Sequence, residues 1–224
     1  MKLSQIVNET IHRKLKIGYD MDDVLVDLDQ ILRQELSLVL KDHTNSPYIP
    51  KDMRTGYYFE DIPEILEKTG LNKEILGQLV VKTFGRVFGN RKKDLVPING
   101  IINTINQLKR DGHEITIITA RRKSSAPETY EWLNRMGLKD IKVYFAGTGP
   151  DRTGPKNSKA KVARLLKLDY FMDDSTENLG QFTKTGQDKI TTPIVYDQPW
   201  NTKYQGKRLD SHYNTFDLLN NLEK

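Results

Sequence analysis

The sequence predicts an α/β fold in which a parallel sheet carries a helical cap inserted after its first strand. Two observations lead there. From residue 96 to the end, short apolar stretches that stop at polar turns alternate with segments of helical periodicity, the pattern of βαβ units with helices on both faces. Between about Leu28 and Leu95 that alternation is interrupted by helices and loops punctuated by Gly56, Pro63, Gly70 and Gly89.

The first strand is Leu15 to Tyr19, stopping at Asp20. Glu114 to Ile118 reads as the second, ending at Thr119, and Ile141 to Phe145 as the third. Tyr170 to Met172, between Asp169 and Asp173, is a short fourth, and Pro193 to Tyr196 a fifth. Among the helices, Ile98 to Arg110 places Ile101, Ile102, Ile105 and Leu108 on one face and ends at Asp111-Gly112. Pro127 to Met136 stops at Gly137, Lys159 to Leu168 spaces Val162, Leu165 and Leu166 helically, and Asn214 to Leu222 is the last. The expected organisation is a core of residues 1–27 and 96–224 with a cap of 28–95. An insertion at that point can cover the carboxyl ends of the strands, where open α/β sheets bind ligands.

Composition narrows the function classes. The chain has 224 residues, 37% hydrophobic and 29% charged, enough for one good-sized core with an insertion. No run of about 18 apolar residues predicts a membrane span, and Met1 to Lys14 lacks a secretory apolar region. The absence of cysteine excludes disulfides and thiolate metal sites and agrees with a cytoplasmic setting. The formal charge of +5 favours phosphorylated small molecules and is compatible with a weak nucleic-acid contact, although a soluble surface with a slight basic excess accounts for it as well. Oligomerisation is open.

The chemistry concentrates in Ile17-Gly-Tyr-Asp20-Met-Asp22-Asp23. Asp20 falls where a buried strand ends, and Asp22 follows at a spacing that lets a turn aim both carboxylates into one pocket. A carboxylate can attack phosphorus, and a second can protonate the leaving oxygen and then activate water. A strand-end aspartate can equally cap the next helix. A calcium loop fails, because its sixth and twelfth positions would be Leu25 and Ile31; a glycosyltransferase-type DxD usually lacks a second aspartate pair. That pair exists at Asp173-Asp174. Four carboxylates in one crevice repel without a cation, and hard oxygen donors favour Mg²⁺. Thr119 offers a hydroxyl and N–H to phosphate, or caps the following segment. A lysine is also required, and Lys159, with Lys156 and Lys161 as rivals, precedes Asp173.

In that order, these elements resemble the haloacid dehalogenase-like superfamily. The resemblance implies a Rossmann-like sheet of strand order 5-4-1-2-3, Asp20 as nucleophile, Asp22 as general acid/base, and phosphate contacts from Thr119, Ala120, Arg121 and Lys159. It implies Mg²⁺ held by Asp20, the Asp22 backbone carbonyl and Asp174, with Asp173 in the same shell. Ile118-Thr-Ala-Arg-Arg122, Thr129-Tyr-Glu-Trp-Leu133 and Val195-Tyr-Asp-Gln-Pro-Trp-Asn201 look more narrowly like the 5′(3′)-deoxyribonucleotidases, which implies hydrolysis of nucleoside monophosphates. Phe59 and Phe88 are then candidates for stacking on a base, with Tyr57 and Tyr58 beside them; a small core of the cap's own would use the same aromatics. The chain departs from that family at Asp23, where glycine is common, at Ser175-Thr176, in residues 1–14 and in the loop Gly147 to Ser158. Two alternatives accompany the nucleotidase reading: a phosphatase of nucleic-acid 3′ ends or another small phosphoester, and a non-catalytic protein binding Mg²⁺ or nucleotide.

Overall fold

The computed structural model describes residues 13–146, 159–182 and 191–223. The expectations for residues 1–12, for Lys156 and for the loop Gly147 to Ser158 lie outside them. In chain order the strands are β1 (Lys16–Tyr19), β2 (Glu114–Thr119), β3 (Lys142–Phe145), β4 (Tyr170–Asp173), β5 (Thr192–Tyr196) and β6 (Lys207–Leu209). They form one parallel sheet in the order β3-β2-β1-β4-β5-β6. The order inferred from resemblance is therefore extended by β6, whose Lys-Arg-Leu sequence has no apolar run to announce a strand. Arg208 anchors it by bonding to Asp197 and to the carbonyls of Asn201 and Tyr204.

Alternation along the strands sorts side chains onto two faces. Ile17 and Tyr19 of β1, Ile117 of β2, Tyr170 and Met172 of β4, and Ile194 and Tyr196 of β5 belong to the larger apolar cluster. Packed with them are α4 (Ile101–Arg110) through Ile101, Ile105 and Leu108, α5 (Ala126–Arg135) through Trp132 and Leu133, and α8 (Thr215–Glu223) through Leu219. Ile118, Phe171 and Val195 face the other way, against Ala160 and Ala163 of α6 (Lys159–Leu165) and Leu179 of α7 (Thr176–Leu179). Two helices are shorter than their periodicity predicts, each at a left-handed residue: α4 starts after Gly100, at φ +86°, and α6 ends before Lys167, at φ +54°.

Between β1 and α4 lie α1 (Leu28–Leu40), α2 (Pro63–Thr69) and α3 (Lys73–Arg86). The α1 start is capped by the Asp27 carboxylate, which accepts the Gln30 N–H at 3.0 Å, and that of α3 by Asn72, which accepts from Ile75 at 2.9 Å. Their buried residues, Ile31, Leu32 and Leu36 on α1 and Leu76, Leu79 and Val80 on α3, join the larger cluster, so one core continues from the sheet into the insertion. The ends of the insertion are tied together: Asp27 N–H donates to Val96 at 3.1 Å and Ile98 N–H to Leu25 at 2.8 Å. Among the described residues no helix is long and apolar enough to cross a membrane.

Gly18 sets how closely Leu168, in the turn after α6, and Phe171 of β4 approach β1. A Cβ there would lie 2.5 Å from Leu168 Cδ1 and 2.6 Å from Phe171 Cδ2. Gly18→Val is expected to lower unfolding free energy by about 1–3 kcal/mol through overpacking, and Leu168→Ala in the same background to recover part of the loss. Urea unfolding of the two variants and wild type checks this; a stability for Gly18→Val equal to wild type would contradict it.

Candidate active site

Two adjacent strands deliver the acidic residues to one edge. Asp20 follows β1, where its N–H donates to the Met172 carbonyl of β4 at 2.8 Å. Asp173 ends β4 and Asp174 follows it. The carboxylates of Asp20, Asp173 and Asp174 each offer an oxygen within 4.8 Å of the others, and all three residues are buried. Two unit charges at that separation repel by roughly 3–4 kcal/mol at an effective dielectric near 20.

Lys159, at the start of α6 and 5% exposed, sits between two of them. Its Nζ lies 2.6 Å from Asp20 Oδ2 and 2.8 Å from Asp173 Oδ2. Burial alone would lower its pKa; Asp173 and Asp20 more than offset this and hold the ammonium charged. Of its rivals, Lys161 is exposed. Asp173 also accepts the Ser175 N–H at 2.9 Å and the Asn178 amide at 3.3 Å. Asp174 accepts instead from a neutral donor, the Trp200 indole N–H, at 2.9 Å on Oδ2.

One lysine does not balance three carboxylates. Burial, then the neighbouring carboxylates, pushes Asp174 well above the usual carboxylate range. Asp20 is pushed up to about 7 by burial, against the pull of Lys159 and with the push of Asp173 and Asp22. A buried all-oxygen donor set with excess negative charge fits a divalent cation, and Asp20, Asp173 and Asp174 are the side chains that could hold it.

Asp22 stands apart from this trio. Its carboxylate receives the Arg121 guanidinium, with Nε 2.9 Å from Oδ2 and a second nitrogen on Oδ1. Arg121 also donates to Thr129 Oγ1 at 3.2 Å and lies 5.3 Å from the Phe88 ring centroid. The expected phosphate contact from Arg121 thus falls to a side chain already holding Asp22. Thr119 is buried at the end of β2, and its Oγ1 accepts the Arg121 N–H at 3.1 Å through a lone pair, a turn contact and not a cap on the following helical segment, whose N-cap is Arg122; Ala120 is exposed.

The cap aromatics divide. Phe59 is 4% exposed and carries the Arg54 guanidinium 3.9 Å above its ring. It packs in the apolar core, the alternative the sequence left open for the insertion's aromatics. Phe88 is half-buried, stacked on Phe84 at 6.3 Å, and reaches Arg121. Tyr57 is 46% exposed, and its ring stands edge-on to that of Trp200 at 6.4 Å.

Several site residues carried no role in the sequence reading. Asp23 adopts φ +58°, the left-handed conformation that glycine enters freely and aspartate tolerates better than most residues. Its carboxylate accepts the Asp29 N–H at 2.7 Å, and its carbonyl accepts from Gln198 Nε2 at 2.8 Å. His212 Nε2 bonds to the next carbonyl, Val24, at 2.7 Å. Trp200, Gln198 and His212 lie far along the chain, and only the Gln198-Pro-Trp-Asn201 string hinted at two of them. A polar groove of about 360 Å³ beside the site, lined by Asp27, Asp197 and Asp210 among others, includes none of the three clustered carboxylates.

A model of the haloacid dehalogenase-like hydrolases matches residues 17–168. The chain belongs to that family. A predicted nucleotidase of Oceanobacillus iheyensis is 28% identical over 187 residues, covering 84% of this chain and 89% of that protein. One from Bacillus cereus is 26% identical over 164 residues, covering 71% and 76%. The crystal structure of a predicted phosphoglycolate phosphatase from Lactobacillus delbrueckii superposes with a TM-score of 0.64 at 11% identity, over 92% of this chain and 98% of that one, a likeness of fold. The chain is thus a hydrolase of the haloacid dehalogenase-like type.

His212 supports the Asp22–Val24 turn as a neutral imidazole, because burial lowers its pKa to about 4 although the Val24 bond opposes this. The unfolded chain then binds a proton that the folded one refuses between pH 6.5 and about 4, so stability is lost as pH falls through that window. At pH 4 the loss from this residue is up to about 3 kcal/mol. Urea unfolding at pH 7 and pH 5 is expected to show a smaller decrement for His212→Gln than for wild type; equal decrements would contradict it.

Proposed function

We propose that the chain is a Mg²⁺-dependent phosphomonoesterase that works through a phosphoryl group carried on Asp20, and that its substrates are (deoxy)ribonucleoside monophosphates. The observation that carries this is the placement of Asp20: buried at a strand end, on Lys159, within 4.8 Å of Asp173 and Asp174, and two residues from an Asp22 directed elsewhere. A dication held by Asp20, Asp173 or Asp174, with the Asp22 carbonyl, would neutralise charge on the phosphoryl oxygens.

In this reading an Asp20 carboxylate oxygen attacks phosphorus and the bond to the leaving oxygen breaks. Asp22 supplies the proton that makes the leaving group an alcohol. Water then attacks the phosphoryl group, Asp22 takes the water's proton, and inorganic phosphate departs with Asp20 restored. Lys159 keeps Asp20 oriented and contributes positive charge to the transferring group. The phosphate dianion competes for the Arg121 guanidinium, which offers a route for Asp22 to leave that pair and reach the leaving oxygen. Thr119, which uses a lone pair toward Arg121, keeps its hydroxyl proton for a phosphate oxygen.

The insertion over residues 28–95 acts as the cap. Phe88, against Arg121, and Tyr57, against Trp200, are its candidate rings for a base, and stacking on a base is worth about 1–3 kcal/mol. The nucleotidase names of the two bacterial relatives support the same substrate class.

Asp20→Asn is expected to abolish Mg²⁺-dependent phosphate release, and Asp22→Asn to slow it about 10²- to 10⁴-fold, with aryl phosphate as a common substrate. Wild-type rates retained by Asp20→Asn would remove Asp20 from its role. Across nucleoside monophosphates, sugar phosphates and 3′-phosphorylated oligonucleotides, the monophosphates are expected to have the highest kcat/KM. Turnover of the oligonucleotide alone would move the assignment to nucleic-acid ends, and binding without turnover of any would make the protein a non-catalytic one.

A further inference from the structure

The Trp200 indole touches both the carboxylate cluster and the insertion. Its N–H donates to Asp174 Oδ2 at 2.9 Å. Its ring has the Arg54 guanidinium 4.8 Å from the centroid, and the Tyr57 ring stands edge-on at 6.4 Å and 80°. Arg54 and Tyr57 come from the insertion; Trp200 comes from the turn Pro199–Asn201 after β5.

Both ends of this contact are held. Asn201 Nδ2 donates to the Asp174 carbonyl at 2.9 Å and to the Tyr196 carbonyl at 2.8 Å, so the turn carrying Trp200 is bonded to the backbone of the residue it serves. Arg54 is buried, with Nε on Asp29 Oδ1 at 2.8 Å and a terminal nitrogen on the Gly56 and Tyr57 carbonyls at 2.8 and 3.0 Å. Asp29 N–H in turn donates to Asp23, in the loop that begins at Asp20. The contacts form a circuit from Asp174 through Trp200, Arg54, Asp29 and Asp23 back to that loop.

We infer that Trp200 is a positioning residue that couples cation occupancy of the Asp20–Asp173–Asp174 cluster to the hold of the insertion over it. The inference rests on the cluster binding Mg²⁺. The indole N–H occupies one Asp174 oxygen and limits rotation of the carboxylate, leaving the other oxygen free of that bond; donors placed this way change metal affinity by about 10–100-fold. The same ring is the surface on which Arg54 and Tyr57 rest. A cation that draws Asp174 into a defined orientation therefore also fixes the seat of residues 54–57, and the coupling is reciprocal.

The test is calorimetric titration with MgCl₂ alone, together with backbone hydrogen exchange over residues 51–59 in EDTA and in Mg²⁺. Trp200→Phe keeps a ring for Arg54 and loses the donor. It is expected to bind Mg²⁺ about tenfold more weakly while its melting temperature in EDTA stays at the wild-type value, which a general loss of structure would not allow. Mg²⁺ is expected to slow exchange over 51–59 in wild type and not in Trp200→Phe. Arg54→Lys keeps the charge on Asp29 and loses the planar stack; it is expected to abolish the Mg²⁺ effect on exchange and to weaken binding less than Trp200→Phe. Trp200→Phe with wild-type Mg²⁺ affinity overturns the positioning role, and Mg²⁺-independent exchange in wild type overturns the coupling. Wild-type affinity in Asp174→Asn would instead overturn the metal site, and the inference with it.

Discussion

The structure is organised around a charge that a protein interior tolerates badly: three carboxylates buried within 4.8 Å of one another at the edge of a parallel sheet. The backbone brings them there, since β1 and β4 are adjacent and both end at this edge. Lys159 relieves part of the repulsion by bonding two of the three, and it can do so because α6 starts directly above the sheet. The remaining negative charge is what makes the site useful. A cluster fully neutralised by protein side chains would have little use for a cation or for a phosphoryl group that needs positive charge around it. Its cost in folding free energy must be borne by the two apolar clusters on the sheet faces and by contacts such as that of Leu168 and Phe171 on Gly18.

A carboxylate that acts on substrate must also point correctly, and much of the surrounding structure serves that need. The turn after Asp20 contains Asp23 at positive φ, and side chains from the last quarter of the chain hold two successive carbonyls in it, Gln198 on Asp23 and His212 on Val24. Asp23 uses its side chain to accept the Asp29 N–H at the start of α1. That bond ties the loop after Asp20 to the insertion.

What the sequence could reveal followed from how local each signal is. Five strands were legible because apolar runs ending in polar turns need no partner to be recognised, and the spacing of Asp20, Asp22, Asp173 and Asp174 reads as chemistry for the same reason. β6 was not legible, because a three-residue Lys-Arg-Leu strand owes its place to Arg208 bonds across the turn before it. Phe59 illustrates the converse. An aromatic in a polar loop looks available to a ligand, whereas here a buried arginine, itself neutralised by Asp29, covers its ring. Neither Arg54 nor Trp200 could be assigned a partner from sequence, since their partners lie 25 and 26 positions away.

The division between legible and hidden follows the division of labour in the fold. The clustered carboxylates sit at strand ends, where hydrogen bonding across the sheet holds the backbone and a one-residue shift would turn a side chain to the opposite face. Positions for them are therefore few, and a spacing pattern identifies them. The insertion, to which the proposed function assigns the rest of the substrate, has helices held to the core by side-chain packing and by the Arg54–Trp200 contact. Packing admits many solutions of similar energy, so that surface can change its aromatics while Asp20 and Lys159 stay in place. The contact between the two parts, Trp200 against Arg54 and Tyr57, is where a change in the insertion would be felt at Asp174.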